Sequence, residues 1–179
     1  MLTTAVRHAQ PESRYNHDVP HEYTDSSEYS ADLTYRWWYE RRWGDGPLLC
    51  WVGLNPGTGD TDGKPRPTLR KVVTWAKEWQ LDGVLVVNLF AYRTTNPRAL
   101  QAASVDIVGE RNDEVLRCAT STAAKTLAAW GSHGRLGGRG AIVTPMLDSP
   151  ICLGTTRHRE PRHPLYVPQA TQPRPYERP

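Results

Sequence analysis

Two short apolar segments constrain the fold of this chain most strongly. Residues 48–54 and 84–90 are almost continuously apolar, which is typical of parallel strands buried on both faces. Between them, Leu69, Val72, Val73 and Ala76 recur at the spacing of an amphipathic helix over 68–79. A strand, a helix and a second strand in this order predict a parallel pair joined by a right-handed crossover.

The same rhythm continues towards the C-terminus. The pattern predicts a helix over 105–123, a strand over 126–130, a short helix over 141–147 and a strand over 151–154. A turn or helix start is expected at Asn96-Pro97, and a short edge strand or hairpin over 35–43, with a turn after it. The predicted fold class is therefore α/β, a three-layer sandwich around a mainly parallel four-stranded sheet.

The two ends differ from this core. Residues 1–33 are polar and show no sustained period, which predicts a flexible acidic N-terminal arm. Residues 34–170 are expected to form a single α/β domain, since 179 residues suit one domain. Six prolines in residues 161–179 preclude a regular helix there, and residues 171–179 are predicted to be a Pro-rich tail.

Charge and cysteine content indicate what kind of partner the protein binds and in which compartment it resides. The arm holds six acids and two arginines, so the rest carries 20 basic and 13 acidic residues. Such a basic remainder suits a polyanionic partner, although an ordinary arginine-rich surface gives the same count. Three widely spaced cysteines in apolar contexts indicate buried thiols in a reducing cytoplasm. Without a membrane span or signal peptide, we expect a cytoplasmic monomer that does not bind membranes.

Polar residues follow the predicted strands at their carboxyl ends. Asn55 follows the first strand, Asn88 lies at the end of the second, His133 follows the third, and His163 lies beyond the fourth. In a parallel sheet these ends lie along one edge, so the loops predict a single cleft. The candidate site also includes Gly53, Pro56, Gly57, Phe90, Arg93, Arg157, Arg162 and Tyr166. Such a cleft suits an anionic, hydrogen-bonding ligand such as a nucleotide.

Several of these residues have a structural alternative. Asn55-Pro56-Gly57 has the composition of an ordinary turn. Arg93 is either a phosphate clamp or a surface ion pair, and His133, between two glycines, fits loop structure as well as a site. No Walker, Rossmann, nucleophile-elbow or zinc pattern occurs, so neither a cofactor nor a metal is expected.

Six ordered motifs resemble the family catalogued as domain of unknown function 1643, found in bacteria and their phages. The match runs from about Tyr35 to Pro168. Its motifs are Leu54-Asn55-Pro56, Pro67-Thr68-Leu69-Arg70, the segments 87–93, 109–113 and 129–134, and Cys152-Leu153-Gly154 with the segment 161–166. Gly57-Thr58-Gly59 and Arg66 depart from the usual family pattern, which has Ser-Thr-Ala and an Asp at these places.

A second resemblance is to the uracil-DNA glycosylase superfamily. Gly53-Leu54-Asn55-Pro56-Gly57 is similar to its first motif, and His163-Pro164 resembles its closing loop. The resemblance implies that Asn55 orients the attacking water, that Asn88 reads an extruded base, and that His163 donates to the departing base. Asn55 and His163 would then be the catalytic residues, and the arginines would neutralise phosphates.

The expected function is binding of nucleic acid or a nucleotide by a glycosylase-like protein that hydrolyses the N-glycosidic bond of a modified or mismatched base. The alternative is a non-catalytic module, from a phage or defence context, that recognises a modified base or nucleotide without cleaving it. Fold resemblance does not choose between the two.

Overall fold

The computed structural model describes residues 23–58 and 66–177, and the strands and helices of the fold are those within these ranges. The strands are β1 Thr24–Tyr29, β2 Arg36–Arg42, β3 Leu48–Gly53, β4 Gly83–Asn88, β5 Lys125–Ala128, β6 Ile151–Cys152 and β7 Arg174–Pro175. The α-helices are α1 Pro67–Glu78, α2 Pro97–Ala102, α3 Asn112–Thr122 and α4 Arg139–Val143. Short 3₁₀ segments cover Ser132–Gly138, Thr144–Met146 and Pro164–Tyr166.

The described strands form one mixed sheet in the order β1-β2-β4-β3-β5-β6-β7. The four predicted strands are its centre, where β3 pairs in parallel with β4 and β5, and β5 pairs in parallel with β6. The prediction of a four-stranded sheet is corrected to seven strands, because β1, β2 and β7 add antiparallel pairings at the two edges. β1 and β7 are polar and lack the apolar runs that reveal central strands, since an edge strand needs little burial.

Helices cover both faces of the sheet. On one face, α1 packs its buried residues Leu69, Val72, Val73, Trp75 and Ala76 against β3 and β4. On the other face, Leu116 and Ala119 of α3 pack with Val143 of α4. The 12-residue helix α1 confirms the predicted amphipathic segment, and its Pro at the first turn has the fixed φ that suits a helix start.

The predicted helix over 105–123 is shorter in the structure. The helix begins at Asn112, because Gly109 breaks the segment before it with φ +84. A side chain at Gly109 would place its Cβ 2.9 Å from the Trp37 ring, so this close approach also requires glycine. The expected helix start at Asn96-Pro97 is confirmed: the Asn96 side chain accepts a hydrogen bond from Arg98 N and caps α2.

The boundaries at both ends also need correction. Thr24–Tyr29 lie in β1, so the part of the predicted arm from residue 23 to 33 belongs to the folded domain, while residues 1–22 lie outside the described residues. In the predicted tail, Arg174–Pro175 pair with β6, and Tyr176 is only 3% exposed in the core. β1 pairs with the next strand, β2, and β7 pairs with β6, and the polar composition of β1 and β7 does not predict either pairing.

Smaller differences concern the region after β5. The predicted helix over 141–147 is the short α4 followed by the 3₁₀ segment Thr144–Met146, and β6 is only two residues long. Cys50 and Cys152 are buried as predicted, but Cys118 is exposed on α3. Within the described ranges, no helix has both the length and the apolar character that a membrane crossing requires.

Candidate functional site

The carboxyl ends of β3, β4 and β5 and their loops, which we call the carboxyl edge, contain most of the predicted site. Gly53 and Asn88 are paired residues at the ends of β3 and β4. Beyond them the chains stay joined, because Leu89 N donates to Gly53 O at 3.0 Å and Thr94 N donates to Pro56 O at 3.0 Å. The loop bearing Asn55 is therefore anchored to the loop after β4.

Asn88 and Trp51 converge above Gly53 on the α1 face. A Cβ at Gly53 would lie 2.8 Å from Asn88 Oδ1 and 3.7 Å from two atoms of the Trp51 indole, so only glycine fits between them. Asn88 is 3% exposed, and its Nδ2 has no hydrogen-bond partner among the described residues. Trp51 Nε1 is buried and lacks an acceptor in the same part of the chain. A buried unsatisfied donor costs about 1–3 kcal/mol, so two of them in one place indicate a site for an acceptor.

Two guanidiniums flank the Tyr39 ring on the same face of the sheet as Asn88. The Arg66 guanidinium lies 4.0 Å from the centre of the Tyr39 ring, and the buried Arg36 lies 5.6 Å from it. Tyr39 pairs with Val86, two residues before Asn88 on the same face of β4. Burial raises the pKa of Tyr39 to about 12, so its phenol stays neutral beside the two guanidiniums. Asp25, which pairs with Arg41, also interacts with Tyr39 and Arg66, so this surface carries both signs of charge.

Asn55 is held in one orientation. Its Nδ2 donates to Thr94 O at 2.7 Å and to Pro56 O at 3.1 Å, and the residue is half-buried. No described residue donates to Oδ1, which is left as the acceptor of the fixed amide. The side chain therefore has the geometry to accept a hydrogen bond from a bound water or hydroxyl.

His163 is anchored at the end of β5 by the loop that returns from β6. Gly131 N donates to Pro161 O at 2.8 Å, and Gly131, with φ +77, would bring a Cβ within 3.1 Å of His163 Cβ. His163 Nδ1 accepts from Leu165 N at 3.3 Å, so the ring proton of the neutral imidazole resides on Nε2. Burial lowers the pKa of His163, which favours this neutral form.

The structure brings Asn55, Asn88 and His163 to the same side of the molecule, without direct contact between them. The segment after His163 packs on α1, where Trp75 Nε1 donates to Gln169 O at 2.6 Å and the Lys71 ammonium binds Val167 O. His163 therefore belongs to the same face as Asn88. Because β3 lies between β4 and β5, and neighbouring strands lie about 4.8 Å apart, the two ends flanking it are separated by roughly 10 Å.

The remaining predicted site residues have diverse positions. Phe90 is buried in the core on the α3 face, so the structure corrects its expected role as a ligand contact. Arg93 donates to Leu33 O at 2.8 Å and lies 5.0 Å from the Tyr29 ring, which ties the β1–β2 turn to the carboxyl edge. Exposed positions are occupied by Gly57, His133, Arg157, Arg162 and Tyr166, and Pro56 is buried.

Two buried residues that hold the carboxyl edge in place escaped the sequence-based prediction. Asn112 is fully buried and donates to both Asn88 O at 3.1 Å and Leu89 O at 2.9 Å, where Arg139 Nε adds a third bond. These bonds fix the turn that follows Asn88. A buried Asn at the start of a helix carries no distinctive pattern, although Asn112 lies within one of the family motifs.

The second is Glu160, which is fully buried and accepts a hydrogen bond from Trp130 Nε1 at 2.7 Å. It fastens the loop that leads to His163 onto the end of β5. In the sequence it stands between Arg159 and Pro161 in a charged segment, and nothing there distinguishes it from a surface residue. Among the described residues, no group of three or more His, Cys, Asp or Glu side chains is arranged to hold a metal ion.

Comparison with known proteins gives a family and no closer relative. A search of the curated proteins and a search of the solved structures each returned no match. The family model described as "Protein of unknown function (DUF1643)" matches residues 36–165, which run from the start of β2 to the loop of His163. This range is well over half of the chain and contains Asn55, Asn88 and His163. The protein therefore belongs to the DUF1643 family.

Proposed function

We propose that this protein binds a nucleobase, carried by nucleic acid or by a nucleotide, in a uracil-DNA-glycosylase-like cleft at the carboxyl edge. The observation that carries the proposal is the pair of buried donors, Asn88 Nδ2 and Trp51 Nε1, with no acceptor among the described residues. The edge of a nucleobase presents carbonyl and ring-nitrogen acceptors beside donors, which complements an amide. The Arg66 guanidinium, which lies over the Tyr39 ring on the same face of the sheet as Asn88, suits a phosphate-linked ligand.

The fixed amide of Asn55 supports hydrolysis of the base–sugar bond as the reaction. Its Nδ2 is held by two backbone carbonyls, so Oδ1 is available to orient a water towards the sugar carbon. In this reaction the water oxygen forms a bond to C1′, and the C1′–N bond breaks with its electron pair remaining on the base. The water proton passes to solvent, because an amide is too weak a base to retain it.

His163 would stabilise the departing base in this scheme. Its neutral Nε2–H is a hydrogen-bond donor for the negative charge that develops on the base carbonyl. A neutral donor suits this role because it needs no acidic pH. The competing possibility keeps the same binding site and lacks the hydrolytic step, as in a phage or defence module that senses a modified base.

The test uses oligonucleotides that each contain one uracil, one mismatched base or one hypermodified base. Binding is measured by titration, and abasic-site formation by strand scission after alkali. We expect Asn88→Ala to lower affinity at least about 10-fold, since it removes the base contact. We expect Asn55→Ala to keep affinity and to lower scission by about 100-fold, the order typical of removing one interaction that stabilises the transition state.

The control is Gln172→Ala, which removes an exposed amide from the C-terminal segment. It should leave both quantities unchanged, and thermal unfolding should show that all variants are folded. Binding without scission, together with no effect of Asn55→Ala, would assign the protein to the non-catalytic alternative. Wild-type affinity in Asn88→Ala would contradict the nucleobase site itself.

A further inference from the structure

The loop after β6 forms a hairpin that presents one sign of charge to solvent. Residues 154–162, which we call the basic hairpin, are closed by hydrogen bonds from Arg162 N to Gly154 O at 2.9 Å and from Thr156 N to Glu160 O at 2.8 Å. Its exposed cationic residues are Arg157, Arg159 and Arg162. The hairpin leads directly into His163, so these charges lie next to the carboxyl edge.

The only acidic residue of the hairpin is turned away from this surface. Glu160 is 0% exposed and is bonded to Trp130 beneath the hairpin. A Cβ at Gly134 would lie 2.1 Å from the Trp130 ring and 3.1 Å from Glu160 Oε2, so the turn over Ser132–Gly138 closes over this carboxylate. The charges of the arginines are therefore not balanced on the outer face of the hairpin.

Neighbouring segments extend the positive surface. Arg174 is exposed, and its Nη2 donates to Thr155 Oγ1 at 3.1 Å. Arg135, which follows Gly134, is also exposed. The exposed Glu177 lies away from this surface, towards the amino ends of the parallel strands. β7 runs antiparallel to β6, and Tyr176 N donates to Pro150 O, which precedes β6.

An exposed aromatic ring stands beside these charges. Tyr166 is 76% exposed, and its ring centroid lies 5.9 Å from that of His163. The 3₁₀ segment that contains Tyr166 packs on α1 through Pro164 and Val167, so the ring projects from a fixed base. Cationic side chains beside an exposed aromatic ring are the combination that binds single-stranded nucleic acid, by phosphate contact and base stacking.

We propose that the ligand of the carboxyl edge is a base within a polynucleotide strand, and that the basic hairpin and Tyr166 hold the nucleotides flanking that base. The inference rests on the proposed nucleobase site and adds to it the choice of a polymer over a free nucleotide. Phosphates on the strand would contact Arg157 and Arg159, while a neighbouring base stacks on Tyr166. A mononucleotide reaches only the cleft and gains none of these interactions.

The experiment compares ligands and charge variants at several salt concentrations. The probes are a mixed-sequence single-stranded DNA of about 12 nucleotides, within the usual site size, the corresponding RNA, and the four deoxynucleoside monophosphates. The double variant Arg157→Gln/Arg159→Asn removes two charges; Asn is chosen at 159 because φ is +63 there. The matched control, Arg117→Gln/Lys125→Gln, removes two exposed charges from α3 and the start of β5.

We expect the slope of log affinity against log salt to fall by about 1.4 in the hairpin variant, or about 0.7 for each phosphate of a single strand that is no longer neutralised. The control should keep the wild-type slope. Tyr166→Leu should lower oligonucleotide affinity about 10-fold without changing the slope, as is typical of the loss of one stacked base. The DNA and RNA arms identify which polymer supplies the strand.

The outcomes separate this inference from the proposed function. If monophosphates bind as tightly as the oligonucleotides, and the hairpin variant changes nothing while Asn88→Ala abolishes binding, the nucleobase site stands and the polymer inference is wrong. Failure of every probe to bind the folded wild-type protein would contradict both. Loss of oligonucleotide affinity in the hairpin variant, with monophosphate affinity unchanged, would support both.

Discussion

At the scale of single residues, the candidate site depends on close approaches. Gly53 is the clearest case, because Asn88 Oδ1 occupies the space that a side chain at residue 53 would need. Asn55 and Asn88 were visible in the sequence as polar residues at strand ends. The structure was needed to show that Asn55 uses its Nδ2 in two hydrogen bonds, whereas Asn88 Nδ2 has no partner among the described residues.

The Gly53 contact predicts a coupling between two substitutions. Gly53→Ala places a methyl group 2.8 Å from Asn88 Oδ1, so it should displace Asn88, destabilise the fold by about 1–3 kcal/mol, and weaken ligand binding. Asn88→Ser removes the colliding oxygen. In that background the Gly53→Ala penalty should be smaller, as measured by a denaturation double-mutant cycle. Equal penalties in both backgrounds would contradict the contact.

His163 predicts a pH-dependent contribution to stability. Burial lowers its pKa below the ordinary 6.5, so the unfolded chain binds this proton more readily than the folded one. The free energy of unfolding should therefore decrease as pH falls below 6.5. The His163→Gln variant has no imidazole to protonate, so its free energy of unfolding does not contain this contribution. The difference between the free energies of unfolding, wild type minus variant, should therefore decrease from about pH 8 to about pH 5. A difference that stays constant with pH would contradict a buried neutral His163.

Among the secondary-structure elements, β7 is an edge strand that its amino-acid composition does not predict. Arg174–Pro175 are exposed residues within a proline-rich segment, yet they pair with β6 and bring Tyr176 into the core beside Trp130. The Tyr176 and Trp130 ring centroids are 5.6 Å apart. The segment that looks like a tail therefore closes one side of the sheet.

Two tyrosines of opposite exposure test this role. Tyr176→Ala removes a ring that is 3% exposed and should lower the free energy of unfolding by about 3 kcal/mol. Tyr166→Ala removes a ring that is 76% exposed and should change it by less than about 0.5 kcal/mol. Urea denaturation of the two variants gives both values. Similar effects of the two substitutions would show that the C-terminal segment does not pack on the core.

At the scale of the whole molecule, the two hydrophobic clusters on either side of the sheet determine which groups meet solvent. Cys50 lies at the centre of β3 and is fully buried, and burial raises its pKa to about 12. Cys152 is also buried, whereas Cys118 lies on the exposed side of α3. The Cys118 thiol should therefore react faster with solvent reagents than the buried thiols of Cys50 and Cys152.

Thiol labelling measures this difference for the folded chain. A thiolate-directed reagent should label one cysteine in the native protein and all three in denaturant. Cys118→Ser should eliminate the native labelling and leave two sites in the unfolded chain. Rapid native labelling of Cys50 or Cys152 would mean that the central strands open more readily than their burial implies.

Local sequence patterns were sufficient to predict the central strands and the first helix of this protein. The apolar runs of β3 and β4 and the periodic residues of α1 predicted a parallel α/β core, because burial on both faces of a strand or one face of a helix leaves a local pattern. Asn55, Asn88 and His163 were predicted as strand-end residues for the same reason. Local pattern also indicated the helix start at Asn96-Pro97.

Other features became apparent only in the folded chain, because they depend on contacts that a local pattern does not encode. The pairing of β7, the core position of Phe90, the internal bond of Arg93 and the buried side of Glu160 result from contacts between segments that are separate in the chain. The pairing of β1 with its neighbour β2 leaves no apolar pattern in β1. The orientation of an amide, or the inward turn of one carboxylate, leaves no periodic signal in the sequence. Those contacts determine which donors of the carboxyl edge lack an acceptor among the described residues, and which charges of the basic hairpin face solvent.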